Sequence, residues 1–198
     1  IGLEGSIIAG ALGGALGAIA LEGAGLGLAY GALAGLLVAL VFAVFAISLG
    51  ADQIITGTAV TIGGLGMTGA VYQVLFGANG MELSVPTLAP VTIPWLSEIP
   101  VVGRALFAQA PTAYFAYVMA PISWYVLFKT AWGLELRATG EAPVAAEAAG
   151  VRVRVVRFSA TLFGGAMAGI AGAHLALAHA GAFAENMSAG KGFIAIAV

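Results

Sequence analysis

The chain has 198 residues, of which 61% are hydrophobic and only 8% are charged, and its formal net charge at pH 7 is -2. Soluble domains carry about 25% charged residues, so a soluble fold of this length could not cover its surface with so few charges. The composition therefore excludes an ordinary soluble domain, and it offers no basic surface for nucleic acid. The absence of cysteine excludes disulfide bonds and thiolate metal sites.

Long uncharged segments predict an all-α protein, a polytopic membrane helix bundle. About 20 apolar helical residues cross a bilayer core, and only helices satisfy their own backbone polar groups there. In chain order the predicted helices are 5–22, 26–48, 54–77, 112–132 and 158–181, and 189–198 begins a sixth. The sequence starts at Ile1 and ends within an apolar segment, which favours a single transmembrane domain over 1–198 that is truncated at both ends.

Small residues recur every four positions within three of the predicted helices. These sets are Gly10, Gly14 and Ala18; Gly27, Gly31 and Gly35; and Gly165, Gly169 and Ala173. Small side chains on one helix face let membrane helices approach closely. The pattern therefore predicts tight helix packing within the bundle, and a dedicated dimerisation face is the alternative.

The segment 78–111 is predicted to be a loop outside the cell. It contains Pro86, Pro90, Pro94 and Pro100, and proline interrupts helices. Trp95 favours a short helix at the level of the lipid headgroups. Arg104 is the only basic residue in this segment. Basic residues concentrate in cytoplasmic loops, so their scarcity here places the segment outside.

The segment 133–157 is predicted to be a cytoplasmic loop for the same reason. Four of the seven basic residues of the chain lie in it, and Lys129 precedes it. A short helix is expected at 143–149, because Pro143 suits a first helical position and Gly150 suits the position after the end. Its side chains are small and apolar, which suits insertion into the groove of a partner. The alternative is a helix that lies on the membrane surface.

Four motifs resemble one protein family. LRATGEAPVAAEAAG at 136–150, followed by a basic run and a glycine-rich helix, is similar to a pattern in the inner-membrane permease subunits of ABC importers for simple sugars and nucleosides. In the same family, IGLEG at 1–5 resembles a glycine-flanked Glu motif, and LGADQIITG at 49–57 resembles a motif in which Asn is common at the position of Asp52. AENMSAGKGFIAIA at 184–197 resembles a further segment, with Ser188 and Lys191 as conservative changes.

The resemblance implies a type II ABC importer permease fold with about ten helices, of which this chain would hold about five to six. It implies a multi-pass protein of the inner (plasma) membrane that moves a nucleoside or a simple sugar by alternating access and needs no cofactor. The implied partners are a cytoplasmic ABC ATPase, a second and homologous permease subunit, and an external substrate-binding lipoprotein. The implied contacts to the ATPase are Arg137, Gly140, Glu141, Pro143, Ala145, Ala146, Ala149 and Gly150.

Polar residues next to the apolar segments are candidates for the substrate pathway, because isolated polar groups are costly inside a membrane. The candidates are Glu4, Asp52, Gln53, Glu185 and Asn186. Each has a structural alternative. Glu4 precedes a short helix and is placed at a broken-helix end near the middle of the membrane, and its alternative is a cap bonded to backbone donors. An N-terminal cap is favoured for Asp52. Glu185 could form an ion pair with Lys191.

Other functions have less support in the sequence. His174 and His179 are five residues apart and would not share a face of an α-helix, so no metal site is expected. The chain has no glycine-rich phosphate loop ending in Gly-Lys-Ser/Thr and no hydrolase motif, so an enzymatic role is not expected. A stand-alone secondary transporter or channel is the main alternative. A structural membrane protein without a transport role is the other.

Overall fold

The computed structural model describes residues 2–76, 83–92, 106–184 and 187–197. The helices of this part are α1 (Leu3–Ala20), α2 (Ala24–Ala43), α3 (Gln53–Phe76), α4 (Pro111–Lys129), α5 (Ala131–Glu141), α6 (Pro143–Ala148), α7 (Val153–His174) and α8 (Lys191–Ala197). Two wider, π-type turns follow α2 and α7, at Val44–Ser48 and Leu175–Ala180. The predicted all-α class is confirmed.

Four short strands accompany the helices. They are β1 (Leu83–Ser84), β2 (Val91–Thr92), β3 (Ala108–Gln109) and β4 (Ala182–Phe183). They form two antiparallel pairs, β1 with β4 and β2 with β3. The segment 78–111 was predicted as a loop, and its described residues hold β1, β2, β3, two helical residues at 106–107 and the first residue of α4. Trp95 and the short helix predicted around it lie outside the described residues.

Among the described residues, four helices are long and apolar enough to cross a bilayer. They are α1, α2 with its π-type turn, α3, and α7 with its π-type turn. They coincide to within a few residues with the predictions at 5–22, 26–48, 54–77 and 158–181. The predicted span at 112–132 corresponds in position to α4, whose Tyr, Trp and Pro residues lower its mean hydropathy. For α4 the membrane crossing therefore stays a prediction.

Two helix boundaries lie three to five residues from their approximate predicted positions. The helix predicted at 112–132 ends at Lys129, because Thr130 has an extended backbone (φ -112°, ψ 157°) and caps the next helix. Trp132 therefore belongs to α5. The helix predicted at 158–181 begins at Val153, where the carbonyl of Arg152 accepts the first hydrogen bonds from Val155 and Val156. The segment predicted as a cytoplasmic loop is consequently helical over most of its length.

The chain forms two compact units, one of residues 1–87 with 157–198 and one of residues 88–156. In the first unit, α1 is the most buried of the four helices that could span a membrane. Its buried face is formed mainly by Gly, Ala and Ile residues, and Ala11, Ala15 and Ala18 are fully buried. This unit is therefore built around α1.

Backbones touch directly where α1, α2 and α7 meet. A β-carbon on Gly169 would lie 2.2 Å from the carbonyl oxygen of Gly31, and one on Gly10 would lie 2.3 Å from the carbonyl oxygen of Gly169. A β-carbon on Gly35 would lie 2.4 Å from the carbonyl oxygen of Gly165. Only glycine fits at these positions. The predicted tight packing is confirmed, and these glycine faces are used within one chain rather than for dimerisation.

The contact between α2 and α3 is looser than the contact among α1, α2 and α7. An apolar groove of about 480 Å³ lies between them. It is lined from α2 and its π-type turn by Val38, Val41 and Phe45, and from α3 by residues that include Ile55 and Met67. α3 is thus held mainly through its contact with α1.

The strand pair β1–β4 connects the end of α3 with the end of α7. Leu83 pairs with Phe183, and the amide of Val85 donates to the carbonyl of Gly181 over 3.1 Å. The ring of Phe183 lies 5.4 Å from that of Tyr72, between centroids. These contacts fix the position of β4, after which the chain continues towards α8.

Candidate functional site

The Glu4 carboxylate is a buried acceptor of three hydrogen bonds in the first unit. Glu4 lies in the first turn of α1 and is only 3% exposed. Its Oε1 accepts a short hydrogen bond from the Ser188 hydroxyl and a second from the amide of Gly190 at 2.9 Å. Its Oε2 accepts from the amide of Gly192 at 2.7 Å. One buried side chain thus binds the whole turn that precedes α8.

The backbone of this turn is shaped to bind an anion. Ala189 and Gly190 both have positive φ angles, 46° and 81°. The amides of Gly190 and Gly192 converge on the Glu4 carboxylate, and concave groups of amides formed by a turn bind negative charges. A β-carbon on Gly192 would lie 2.6 Å from Oε2 of Glu4, so only glycine leaves room for the carboxylate. We call Glu4 together with residues 187–192 the Glu4 junction.

The Glu4 junction lies at about the middle of α3. α3 has 24 residues, and at about 1.5 Å per residue it is roughly 36 Å long. A β-carbon on Gly5 would lie 3.0 Å from the carbonyl oxygen of Val60, and one on Gly64 would lie 3.1 Å from the Cα of Gly5. This contact is about 10 to 17 Å from the first residue of α3. If α3 spans the bilayer, its contact with Gly5 lies deep in the hydrocarbon core.

A weakly polar cleft of about 330 Å³ lies beside the start of α1. Its polar groups include the hydroxyls of Ser6 and Thr161, which donate to the carbonyls of Gly2 and Arg157. The remainder of the lining is apolar or glycine, including Phe42 of α2. The cleft is therefore a space with hydroxyl groups but without a charged side chain.

Among the described residues, the structure does not bring the predicted pathway residues together at one place. Glu4 lies at a helix start deep within the unit and is bonded to two backbone donors and one hydroxyl, as its structural alternative predicted. Glu185 and Asn186 lie outside the described residues, and so does the predicted ion pair of Glu185 with Lys191. The Lys191 ammonium group lies 3.5 Å from the carbonyl oxygen of Met187.

Asp52 and Gln53 are not part of the Glu4 junction. Both are exposed at the start of α3. Asp52 Oδ1 accepts from the amides of Ile54 at 2.8 Å and Ile55 at 3.0 Å. This is the geometry of an N-terminal cap, in which a carboxylate satisfies the first amides of a helix. The cap that was favoured for Asp52 is confirmed.

In the second unit, α6 is the short helix that the sequence predicted. Pro143 is its first residue, and Gly150 follows with a φ angle of 89°. Ala146 is buried, whereas Glu141, Ala145, Ala149 and Gly150 are exposed. Val144 is 81% exposed, which leaves a large apolar side chain in the open. The helix therefore presents an uncovered face of small apolar side chains.

A tight elbow joins α4 to α5, and sequence reasoning missed it. The Thr130 hydroxyl donates to the carbonyl of Val126 at 2.5 Å and accepts from the amide of Gly133 at 3.2 Å. The Arg137 guanidinium lies 5.1 Å from the ring centre of Phe128, a cation–π contact across the same elbow. A Thr three residues before Gly133 was the available signal, because Thr is a favoured N-cap.

The two histidines lie at the end of α7, where the backbone is no longer α-helical throughout. A π-type turn, Leu175–Ala180, begins directly after His174 and contains His179. Because such a turn closes its hydrogen bonds over five residues, the five-residue spacing does not place the rings as far apart around the axis as in an α-helix. The argument from α-helical spacing therefore does not hold here. Among the described residues, no three His, Asp or Glu side chains form a group that could hold a metal ion.

The sequence matches, over residues 1–198, the family described as branched-chain amino acid transport system / permease component. The chain belongs to this permease family. No solved structure is significantly similar to it. The match to the permease family confirms the predicted resemblance to permease subunits.

Several permeases are similar to this chain. A putative glucose ABC transporter permease protein of Haloferax volcanii is 36% identical over 202 residues, covering 100% of this chain and 60% of the relative. A nucleoside ABC transporter permease protein of Lactococcus lactis subsp. cremoris is 36% identical over 87% of this chain and 54% of its own length. A guanosine ABC transporter permease protein of Bacillus subtilis is 35% identical over 83% of this chain and 52% of its own length. The chain thus spans between about half and three fifths of these relatives.

Family membership and structure agree that this permease is a multi-pass membrane protein. Four helices of its described part can span a bilayer. Two of the four motifs that carried the resemblance, at 1–5 and 184–197, meet in the Glu4 junction. The motif at 49–57 contains the cap of α3, and the motif at 136–150 contains most of α5 and all of α6.

Proposed function

We propose that this chain is part of the membrane permease of an ATP-driven importer. The permease would move a nucleoside or a simple sugar across the inner (plasma) membrane by alternating access. The observation that carries this proposal is the match to a transport-permease family over the whole chain. Relatives named for glucose, for nucleosides and for guanosine support this class of substrate.

The chain itself would perform no covalent chemistry. ATP would be hydrolysed by a separate cytoplasmic ATPase, and the substrate would arrive from an external binding lipoprotein. Two permease subunits, this chain and a homologous partner, would enclose the pathway between them. Closure of the ATPases would move the cytoplasmic face of the permease and switch the pathway between its outward-open and inward-open states.

The contact with the ATPase is assigned to the segment 137–150. The assigned residues are Arg137, Gly140, Glu141, Pro143, Ala145, Ala146, Ala149 and Gly150. The exposed apolar face of α6 supports this assignment, because a helix with small uncovered side chains can enter a groove of a partner. The 81% exposure of Val144 supports it further, since a large apolar side chain is stabilised by burial.

The substrate pathway is assigned to the surroundings of the Glu4 junction. Of the residues proposed for it, Glu4 is held deep in the first unit, and Glu185 and Asn186 immediately precede the turn that it binds. Asp52 and Gln53 would act at the inner end of α3, where the pathway opens to the cytoplasm. The cleft with the Ser6 and Thr161 hydroxyls favours a neutral ligand that is recognised by hydrogen bonds.

Uptake of labelled nucleosides and sugars tests the coupling element. Cells would carry the full-length protein together with its neighbouring ATPase, and the variant would combine Glu141→Arg with Ala145→Trp. An indole at Ala145 projects from the exposed face of α6 and should block docking without disturbing the membrane helices. Ala51→Trp is the control, because Ala51, like Ala145, is a small exposed residue, but it lies outside the segment 137–150.

The expected result is loss of uptake and of ATPase co-purification in the double variant, at normal membrane abundance, with both retained in the control. Unchanged ATP-dependent uptake in the double variant would overturn the assignment of 137–150. Uptake that ignores ATP and follows an ion gradient would instead indicate a secondary transporter.

A further inference from the structure

We propose that Glu4 is the positioning residue of the transport pathway. Its carboxylate would fix the turn at 187–190 and the first residues of α8 within the hydrocarbon core. The inference rests on the proposed transport function and adds to it a named side chain and a named segment. It assigns to Glu4 a role that acts through the turn and not through contact with the substrate.

The first step of the argument is the depth of an irregular segment. Residues 187–190 are not helical, yet they contact Glu4 next to the mid-length contact of Gly5 with α3. Non-helical backbone at membrane depth is found where it is buried in protein or lines a water-filled cavity. Transporters place their substrate sites at such interrupted helices near the middle of the bilayer. The turn therefore has the location of a pathway wall.

The second step is that the turn depends on one side chain. The amides of Gly190 and Gly192 and the hydroxyl of Ser188 all direct their hydrogen atoms to the Glu4 carboxylate. Ser188 is fully buried, so water does not reach its hydroxyl from the surface. Without an acceptor at this place, three donors would be left in a region of low dielectric constant, where unpaired polar groups are costly.

The third step is that a carboxylate matches these donors better than an amide does. Both oxygens of an ionised carboxylate only accept hydrogen bonds, whereas a glutamine side chain replaces one of them by a donating group. With Gln at position 4, either the Gly192 amide or the pair of Ser188 and Gly190 would face that donor. Glu4→Gln therefore removes at least one hydrogen bond and keeps the size of the side chain.

The fourth step is that the anchor is itself rigid. Gly5 lies against the backbone of Val60 and Thr61, and Gly64 lies against Gly5. The start of α1 is thus wedged against α3 without intervening side chains. A displacement of α3 or α1 during the transport cycle would therefore be passed through Glu4 to the turn, and the turn would move with them.

The experiment uses the complete importer with Glu4→Gln and the control Glu22→Gln. Glu22 lies at the other end of α1 and is exposed. Three quantities are measured: membrane abundance with ATPase co-purification, the rate of substrate uptake, and hydrogen exchange of the peptide that covers 187–193. The exchange measurement reports the turn directly and does not depend on the substrate or on transport.

For Glu4→Gln we expect faster exchange in 187–193 and uptake lowered by about tenfold or more, the effect of leaving a buried donor unpaired. Membrane abundance and ATPase co-purification should stay within about twofold of the wild type, because the packing of α1 against α2, α3 and α7 is unchanged. A purely structural role would lower abundance and uptake together. Glu22→Gln should change none of the three quantities.

Ser188→Ala keeps the proposal testable if Glu4→Gln does not reach the membrane. It removes one of three donors and leaves the acceptor in place, so uptake should fall by a few fold with full abundance. Wild-type uptake and unchanged exchange in both variants would overturn the role of Glu4. Failure of the wild type to couple uptake to ATP would overturn the proposed function, while the exchange measurement would still decide whether Glu4 holds the turn.

Discussion

Gly133 lies against the carbonyl oxygen of Val126 so closely that a β-carbon on Gly133 would be 2.2 Å from that oxygen. The two residues belong to α5 and α4, and the contact closes the elbow that Thr130 caps on both sides. The cation–π contact of Arg137 with Phe128 adds a further contact across the same elbow. Within the second unit, α4 and α5 are therefore held at a fixed angle to each other.

Gly133→Ala should open this elbow. The neighbouring atoms belong to the backbone and cannot move aside as a flexible side chain could, so overpacking should cost about 1–3 kcal/mol. We expect a lower unfolding temperature of the purified protein and uptake that falls more than ATPase activity does. Gly66→Ala is the control, because no atom lies within 4 Å of a β-carbon there. Equal behaviour of the two variants would contradict a rigid elbow.

Two substitutions separate the cap at Asp52 from a role in the pathway. Asp52→Ala removes the acceptor for the amides of Ile54 and Ile55 and should lower the free energy of unfolding by about 1 kcal/mol. Asp52→Asn should keep almost all of the stability, because Asn caps helices as well as Asp does. If Asp52 only caps, Asp52→Asn also keeps wild-type uptake. A loss of uptake in Asp52→Asn at wild-type stability would instead support the pathway assignment.

The glycines of α7 offer a matched pair. Gly169→Ala places a β-carbon 2.2 Å from the carbonyl oxygen of Gly31, whereas Gly164→Ala meets no atom within 4 Å. Gly169→Ala should destabilise the protein by about 3 kcal/mol or more, the upper range for overpacking. Gly164→Ala should be neutral or slightly stabilising, since Ala favours the helix over Gly. Thermal unfolding in detergent compares them, and similar unfolding temperatures would contradict the backbone contact.

Ala189→Gly should stabilise the Glu4 junction. Ala189 has a φ angle of 46°, a left-handed conformation that costs a residue with a β-carbon about 1–2 kcal/mol. Glycine adopts this conformation without that cost. We expect slower hydrogen exchange in 187–193 or a higher unfolding temperature, with uptake preserved. A lower unfolding temperature would show that the methyl group of Ala189 makes a contact that outweighs the strain.

Hydropathy and charge were enough to predict four spanning helices. Those of α2, α3 and α7 contain uncharged runs longer than a bilayer requires, whereas the run of α1, from Gly5 to Leu21, is marginal in length. Pro143 and Gly150 were enough to predict α6, because each residue has a strong positional preference at a helix end. The break at Thr130 was not predicted, because the predicted helix was continued past Lys129 to the apolar residues Ala131 and Trp132. The helix ends there because the Thr130 hydroxyl caps the next helix, and the composition of the segment does not reveal such a cap.

The Glu4 junction could be predicted only in part. Glu4 stood out as an acidic residue at the start of an apolar helix, and a cap was among its interpretations. Its partners, Ser188, Gly190 and Gly192, are at the other end of the chain, and no local pattern connects positions that far apart. The same limit explains why the pairing of β1 with β4 was not predicted.

The backbone contacts of α1, α2 and α7 restrict which parts of the permease can move against each other. Where two backbones touch, there are no side chains whose rotamers could change to accommodate sliding. These three helices should therefore travel through a transport cycle as a single block. α3 also meets α1 backbone to backbone, at Gly5 and Gly64, so its movement against this block is limited to pivoting about that contact. The groove between α2 and α3 allows such a movement, because it is lined by long apolar side chains that can repack. Substitutions that tune the rate of switching should accordingly be found at that groove and not among the glycines.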